Sequence, residues 1–375
     1  MRSDVRRALY VFLGTVAAGF ILLAMFVASI WSYPNRASGG AQGTVEIEIP
    51  RGVTAQGVAE LLEQGKLISS PLFFRLYTAQ RGAASRIRPG HYQIQAPVTP
   101  KEVVDHLVRG VADKLIPVTI PEGKNFVEIA EILEAAGVVR KSEFIAIATN
   151  GAFVRSLDLP GLSLEGYLFP DTYRLRPKMP AAEVAEHLVR RHKQVYQELS
   201  AAYAEGLEKL RRTLGFEDRH VVILASIAEK ETGRAEERPR IAQLNINRLT
   251  LPNFNPKVLQ TDPTVIYGCA IAPLVLGRTS PACQKFQGNN IQKIHLNDAD
   301  NEYNTYMHEG LPPGPIANPG RASLAAVMKP DGTPYLYFVA TSAGGVQYFS
   351  TTLAEHEAAV VRYQRGGRPM PGRKK

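Results

Sequence analysis

Ala8 to Trp31 is a run of 24 residues without a charged side chain, ALYVFLGTVAAGFILLAMFVASIW. A bilayer core of about 30 Å is crossed by about 20 apolar residues in a helix. The run therefore predicts a transmembrane helix over 8–31. A cleaved signal peptide has a shorter apolar stretch, about 7–15 residues, that ends in small residues. Here the run closes on Trp31-Ser32-Tyr33-Pro34, which reads as an interfacial aromatic anchor. Residues 1–7 carry three Arg and one Asp. Positive flanks stay in the cytoplasm, so the remainder of the chain is expected outside it. Residues 32–44 contain Asn35-Arg36-Ala37-Ser38-Gly39-Gly40 and read as a flexible linker.

The rest of the chain is long enough for two or three domains. Hydrophobic content of 45% can supply their cores. The formal charge is +9. Part of that excess is local, in Arg2, Arg6 and Arg7 and in a Gly/Pro-rich tail over 364–375 that is expected to be disordered. No stripe interleaves basic and aromatic residues, so nucleic acid is not an expected partner.

The two cysteines, Cys269 and Cys283, share one irregular stretch. An extracytoplasmic setting favours a disulfide between them. Closing a loop of about 15 residues contributes about 3 kcal/mol in the chain-entropy view. No further Cys or His accompanies them at zinc-site spacing, so no metal site is expected.

The N-terminal half repeats itself. Val45 to Ile49 alternates, Pro50-Arg51-Gly52 turns, and Val58, Leu61 and Leu62 follow with helical spacing up to Gly65. The order recurs 71 residues later: Val118 to Ile120, Pro121-Glu122-Gly123, then Ile129, Ile132 and Leu133 up to Gly137. Ala59-Glu60 matches Ala130-Glu131, and Phe73 matches Phe144. Each copy reads as strand, turn, helix, helix. Two copies are too few for a solenoid. The pattern is expected to form one small module over 45–155, and it resembles the LysM-like part of a transglycosylase family.

A second domain is expected over 156–363. It opens on the turn-rich Leu164-Glu165-Gly166-Tyr167-Leu168-Phe169-Pro170-Asp171-Thr172-Tyr173. An amphipathic helical stretch follows from Ala181 to Leu214. Next, His220 to Ala228 is apolar or small and ends abruptly in Glu229-Lys230-Glu231-Thr232-Gly233. On a buried helix Glu229 stacks over Ala225 and Ser226, which leaves room beside its carboxyl. Burial and the negative helix end both disfavour its ionised form. Such a carboxyl suits a general acid, although a helix-end cap or salt bridge is the plainer alternative. Glu231 points elsewhere and is expected to be solvated or paired.

Leu259 to Gly268 (LQTDPTVIYG) reads as a compact polar turn. Tyr303-Asn304-Thr305-Tyr306 precedes Gly310-Leu311-Pro312-Pro313-Gly314-Pro315-Ile316-Ala317-Asn318-Pro319-Gly320, which is too rich in Pro and Gly for regular structure. Amides, hydroxyls and rings on stiff loops suit sugar recognition. Pro334 to Ala340 reads as a buried strand, and a final helix begins near Thr351-Thr352 with a Thr or Ser cap.

EGYLFPDTY, LASIAEKET, LQTDPTVIYG, YNTY and GLPPGPIANPG together resemble the MltG/YceG family of endolytic murein transglycosylases, over roughly Val45 to Tyr363. The resemblance implies an α+β extracytoplasmic protein anchored by one helix in the inner membrane, with a LysM-like subdomain and a mixed α+β catalytic domain. It implies a lyase that cuts the MurNAc–GlcNAc β-1,4 bond of peptidoglycan, leaves 1,6-anhydro-MurNAc ends and needs no cofactor or metal. It assigns the acid/base to the first Glu of EKET, which is Glu229. It makes Gln260, Asp262, Tyr303, Asn304 and Tyr306 candidates for holding the glycan. Cell-wall synthases are the partners it suggests, and termination of nascent strands the role. There are two departures. Ile246 stands where the family usually has an aromatic before Asn247-Arg248-Leu249, and the stretch from Tyr267 to Tyr303 looks longer than typical. Two alternatives remain: a muramidase with Asp262 as second carboxylate, and a non-catalytic glycan-binding scaffold.

Overall fold

The fold comes from a computed structural model, which describes residues 2–37, 39–110, 115–341 and 346–366. It is an α+β protein whose chain divides into two compact units, residues 1–113 and 114–375. The first helix, α1 (Arg2–Ser32), is long and apolar enough to cross a membrane. Its side chains from Phe12 to Val27, among them Phe20 and Leu22, are exposed. An apolar surface of that kind is stable in lipid and costly in water.

The rest of the first unit runs β1 (Gly43–Ile49), α2 (Ala55–Gln64), α3 (Pro71–Gln80), β2 (Gly90–Ala96) and α4 (Pro100–Arg109). Strands β1 and β2 pair antiparallel, with Gly43 opposite Ala96 and Ile49 opposite Gly90. Alternation turns Ile47, Ile49, Tyr92 and Ile94 inward onto Val58, Leu62, Phe74 and Leu107. Thr54 and Ser70 cap the two helices by accepting from Gly57 N and Phe73 N.

The second unit opens on the same order: β3 (Ile116–Thr119), α5 (Phe126–Ala135), α6 (Lys141–Ala148), a short α7 (Gly151–Ser156) and β4 (Thr172–Leu175). Strands β3 and β4 again pair antiparallel, with Ile116 opposite Leu175. The repeat is thus two βααβ elements. Gly52 and Gly123 share a left-handed backbone, φ 77° and 74°, which explains the Pro-x-Gly turn in both. The expected match of Phe73 with Phe144 shifts by one. The fully buried partner of Phe144 is Phe74, because the link between the helices is one residue shorter in the second copy. The boundary also differs from the expected 155/156. The second copy packs its Val118, Phe126, Ile129 and Leu133 into the core of the second unit.

The chain continues through α8 (Ala181–Ala202), α9 (Ala204–Leu214), α10 (Asp218–Glu231), α11 (Arg238–Thr250), α12 (Asp262–Ala270), α13 (Pro273–Leu276), α14 (Lys293–Leu296), α15 (Arg321–Met328), β5 (Tyr337–Ala340), β6 (Gln347–Ser350) and α16 (Leu353–Tyr363). The helical stretch expected over 181–214 breaks at Tyr203 (φ −123°, ψ 34°). The break sets α9 against the end of α15, so closely that a Cβ on Gly206 would lie 1.7 Å from the Met328 carbonyl oxygen. The LQTDPTVIYG segment is not a turn, since α12 starts at Asp262 with Pro263 in its first turn, where proline is tolerated. Only Tyr337–Ala340 of the expected strand pairs, with β6. Thr352 caps α16 in a capping box with Glu355. Cys269 and Cys283 form a disulfide that ties α12 to the irregular segment after α13. Of the tail read at 364–375, residues 367–375 lie outside the described residues.

Helix α10 is the centre of the second unit. Val221 to Glu229 are all buried, so this stretch is enclosed on every side by α11, α15 and the 310–320 loop. Phe144 is fully buried in the same core. Phe144→Ala is expected to destabilise the chain by about 3–5 kcal/mol, read from the shift of the urea midpoint at constant slope.

Candidate active site

The end of α10 presents two carboxyls two residues apart. A helix turns about 100° per residue, so their side chains leave on nearly opposite faces. They enter different surroundings.

Glu229 is buried, with a side chain only 4% exposed. Arg238, at the start of α11, donates from Nη2 to Glu229 Oε1 at 2.6 Å. Ser323 Oγ and the Gly320 backbone N–H donate to Oε2 at 2.8 and 3.0 Å. Arg238 also donates from Nη1 to Glu122 Oε2 at 3.1 Å. Glu122 belongs to the Pro121-Glu122-Gly123 turn of the second repeat copy. Glycine at 320 leaves room for the Glu122 side chain in this position, since a Cβ would lie 1.9 Å from Glu122 Oε1. The room expected beside Glu229 is therefore filled. The 310–320 loop lies against the small residues, and Ser226 Oγ accepts from Ile316 N at 3.0 Å. The surroundings of Glu229 thus add a buried arginine and two neutral donors to the burial and helix end expected from sequence.

Glu231 is half-buried and has no hydrogen-bond partner among the described residues. Desolvation, and then the charge of Asp262, push its carboxyl up to about 7, against a smaller opposing pull from Arg248. It is neither solvated nor paired as expected. Arg248 is held in place by its own bonds: Nε donates to the Leu336 carbonyl at 2.7 Å, a second nitrogen reaches the Leu259 carbonyl, and the guanidinium stacks on Phe254 and Tyr337.

The five glycan-holding candidates divide. Tyr306 donates from its hydroxyl to Asp262 Oδ1 at 2.6 Å, and both lie within electrostatic reach of Glu231. Burial, then that bond to Asp262, raise the Tyr306 hydroxyl far above its ordinary range. Gln260 is exposed beside Asp262 and takes a left-handed backbone (φ 53°), while its N–H donates to the Thr305 carbonyl. The other two face inward. Asn304 is fully buried; its Nδ2 donates to the carbonyls of His295, Leu296 and Asp298, and its Oδ1 accepts from Tyr306 N. Tyr303 packs on Tyr267 within a core of Ile223, Ile227 and Leu259, and burial pushes its hydroxyl up to about 12. These two shape the loop that carries Tyr306.

A buried hub fixes the two loops against each other. Glu165 accepts from Phe126 N at 3.3 Å and from Asn318 Nδ2 at 2.7 Å. Asn318 accepts from Leu168 N and Gly123 N, and donates to the Lys124 carbonyl. Burial drives the Glu165 carboxyl up to about 8 despite these donors. EGYLFPDTY and IANPG are thereby parts of one structural joint.

Sequence reasoning missed Arg238, Ser323, Glu122 and the raised state of Glu231. Nothing local marks Arg238 or Ser323. The Pro-x-Gly repeat did mark the turn that carries Glu122. The departure at Ile246 has a plain outcome, since that side chain is buried in the core while Asn247 donates to the Thr333 and Tyr335 carbonyls.

The Glu231 shift has a sign that stability can read. Below its usual 4.5 the carboxyl is protonated folded and unfolded alike, and costs nothing. As pH rises from 4.5 toward 7 the unfolded chain ionises first, so stability falls across that window. Glu231→Gln is expected to remove part of the fall, leaving the share due to Glu165. Urea midpoints of the two chains should therefore diverge between pH 4.5 and 7.5, in favour of the variant; a constant difference contradicts the assignment.

A sequence model of the YceG-like family matches residues 47–362. The endolytic murein transglycosylase of Bacillus subtilis (strain 168) is 28% identical over 340 residues, which covers 85% of each chain. That of Streptococcus pneumoniae serotype 2 is 25% identical over 354 residues, and the match covers 85% of this chain but 58% of that longer relative. A crystal structure of a YceG-like protein from Listeria monocytogenes superposes with a TM-score of 0.52 at 27% identity, covering 85% of this chain and all of that one. The family match spans both βααβ elements, the EKET helix end and the glycine-proline loop, and the chain belongs to the YceG-like family.

Proposed function

We propose that this protein is an endolytic murein transglycosylase, a lyase that cleaves glycan strands of peptidoglycan at the MurNAc–GlcNAc β-1,4 bond. The observation that carries the chemistry is the state of Glu231. It is a half-buried carboxyl held up to about 7, with no side-chain hydrogen bond among the described residues. A general acid must be protonated near neutral pH and free to reach its substrate. Glu231 meets both needs. Glu229, assigned by resemblance, is committed to Arg238, Ser323 and Gly320, and we read it as the residue that positions the helix end.

In this reading Glu231 gives its proton to the glycosidic oxygen as the bond to C1 of MurNAc breaks. The carboxylate then takes the proton of the C6 hydroxyl as that oxygen closes onto C1. The proton balance is zero, no water is consumed, and the new end is 1,6-anhydro-MurNAc. Because the nucleophile belongs to the same sugar, orientation replaces activation of a second molecule. We read Tyr306, Asp262 and Gln260 as the residues that hold the glycan beside Glu231. Desolvation, and after it the charge of Asp262, keep Glu231 protonated, which supports Asp262 as an electrostatic neighbour.

The names of the relatives support the substrate class. Helix α1 supports a single-pass anchor, and the three arginines before the apolar run favour a cytoplasmic N-terminus and an extracytoplasmic site, in the inner membrane. Such a site would lie close to newly made strands, which fits their termination alongside cell-wall synthases. The β1–β2 element, with two helices between paired strands, supports the LysM-like reading of the first unit.

The test is digestion of purified peptidoglycan by the full-length protein in detergent, with product ends identified by mass spectrometry. Wild type is expected to release anhydro-MurNAc ends, and Glu231→Gln to lose at least about 100-fold in rate. Loss in Glu229→Gln with Glu231→Gln still active would return the acid to Glu229. Reducing ends would instead indicate hydrolysis with Asp262 as second carboxylate. A folded wild-type chain that binds glycan without cutting it would indicate a scaffold.

A further inference from the structure

We propose that Tyr167 of EGYLFPDTY and His192 of α8 form the floor of a second saccharide site, apart from Glu231, which takes an N-acetylated pyranose. The proposal rests on the glycan reading above and extends it along the strand.

A cavity of about 420 Å³ lies between the 158–167 segment, α8 and the first turns of α10. That volume is within the usual range for small-ligand sites. Its wall includes Tyr167, His192, Tyr196, Pro160 and Val222. The Tyr167 hydroxyl and His192 Nδ1 are buried and have no hydrogen-bond partner among the described residues. Tyr167 is 4% exposed and His192 3%. Buried polar atoms are nearly always satisfied, and two orphans lining one cavity point to something that occupies it.

The chemistry of the occupant follows from the floor. Burial lowers the His192 imidazole to about 4, so it is neutral at neutral pH, and the Tyr167 phenol is neutral too. A neutral floor cannot compensate a buried charge. It can donate to and accept from hydroxyl and amide groups. The three rings also offer apolar surface. The Tyr167 ring meets His192 edge-on at 5.1 Å, and His192 stacks on Tyr196 at 5.9 Å. Hydroxyls, an acetamide and an apolar ring face are the features of an N-acetylated pyranose. Four charged groups also line the cavity: Asp158, Lys193 and Asp218 are exposed, and Arg219 is half-buried, near enough for its charge to act on Tyr167. Val222 lies nine residues before Glu231 on α10, roughly 13 Å along the helix at 1.5 Å per residue. A strand of linked sugars can span that distance.

The experiment uses the full-length Glu231→Gln chain in nanodiscs, so that sugar is bound and not cut. The probe is N,N′-diacetylchitobiose carrying a diazirine, crosslinked by light and mapped by peptide mass spectrometry. The expected result is labelling within residues 158–168 or 192–200. That labelling should fall about tenfold in Tyr167→Phe, which removes one hydrogen-bonding oxygen and keeps the ring. Gln197→Trp, which blocks the mouth, should abolish it. Labelling confined to residues 229–231 and 304–306 overturns the second site and leaves the active-site reading intact. Labelling of 158–168 that survives Tyr167→Phe also overturns it, because the orphan atoms would then hold only ordered water. Label displaced by a charged stem peptide and not by unlabelled chitobiose overturns the choice of a sugar. No labelling in either region overturns the proposal, while the digestion assay tests the cleavage reading separately.

Discussion

The buried ion pair of Arg238 with Glu229 is the contact on which the arrangement of the second unit turns. It joins the end of α10 to the start of α11, and through Glu122, Ser323 and Gly320 it holds the second repeat's turn and the glycine-proline loop. Removing one partner of such a pair leaves an uncompensated charge in the core, which is the costly case. Glycines stand at 123 and 320 beside it. The first has the left-handed backbone of the turn, and the second makes space for Glu122.

That contact also separates two chemically identical residues. Glu229 receives a cation and two donors. Glu231, on the other side of the helix, receives desolvation and a neighbouring negative charge, and keeps its proton to about 7. Different surroundings are how one site obtains distinct roles from one residue type. The Tyr306–Asp262 hydrogen bond completes the division, because it fixes the charge that acts on Glu231.

Much of this was legible in the chain. The uncharged run, the Pro-x-Gly repeat, the disulfide, the Thr352 cap and the buried helix ending in EKET all follow from local pattern. What was not legible depended on pairings distant in sequence. The one-residue shift from Phe73 to Phe74 comes from the link length between two helices. The second repeat copy joins the larger unit because β3 pairs with β4, some 50 residues on, across three helices. Asn304 looked like a ligand-binding amide, yet the carbonyls of His295 and Leu296 in α14 and of Asp298 use it. The proposal of Glu231 over Glu229 rests on Arg238 and Asp262, which no spacing rule connects to EKET.

The central claim is that Glu231 acts as the acid because burial and Asp262 keep it protonated. The pH profile of kcat/KM on peptidoglycan tests this directly, compared between wild type and Asp262→Asn. The account predicts a fall in rate above about pH 7 in wild type, the value held at Glu231. It predicts that this limb moves to lower pH in the variant, whose loss of charge lets Glu231 ionise sooner. A limb that stays in place when Asp262 loses its charge would contradict it.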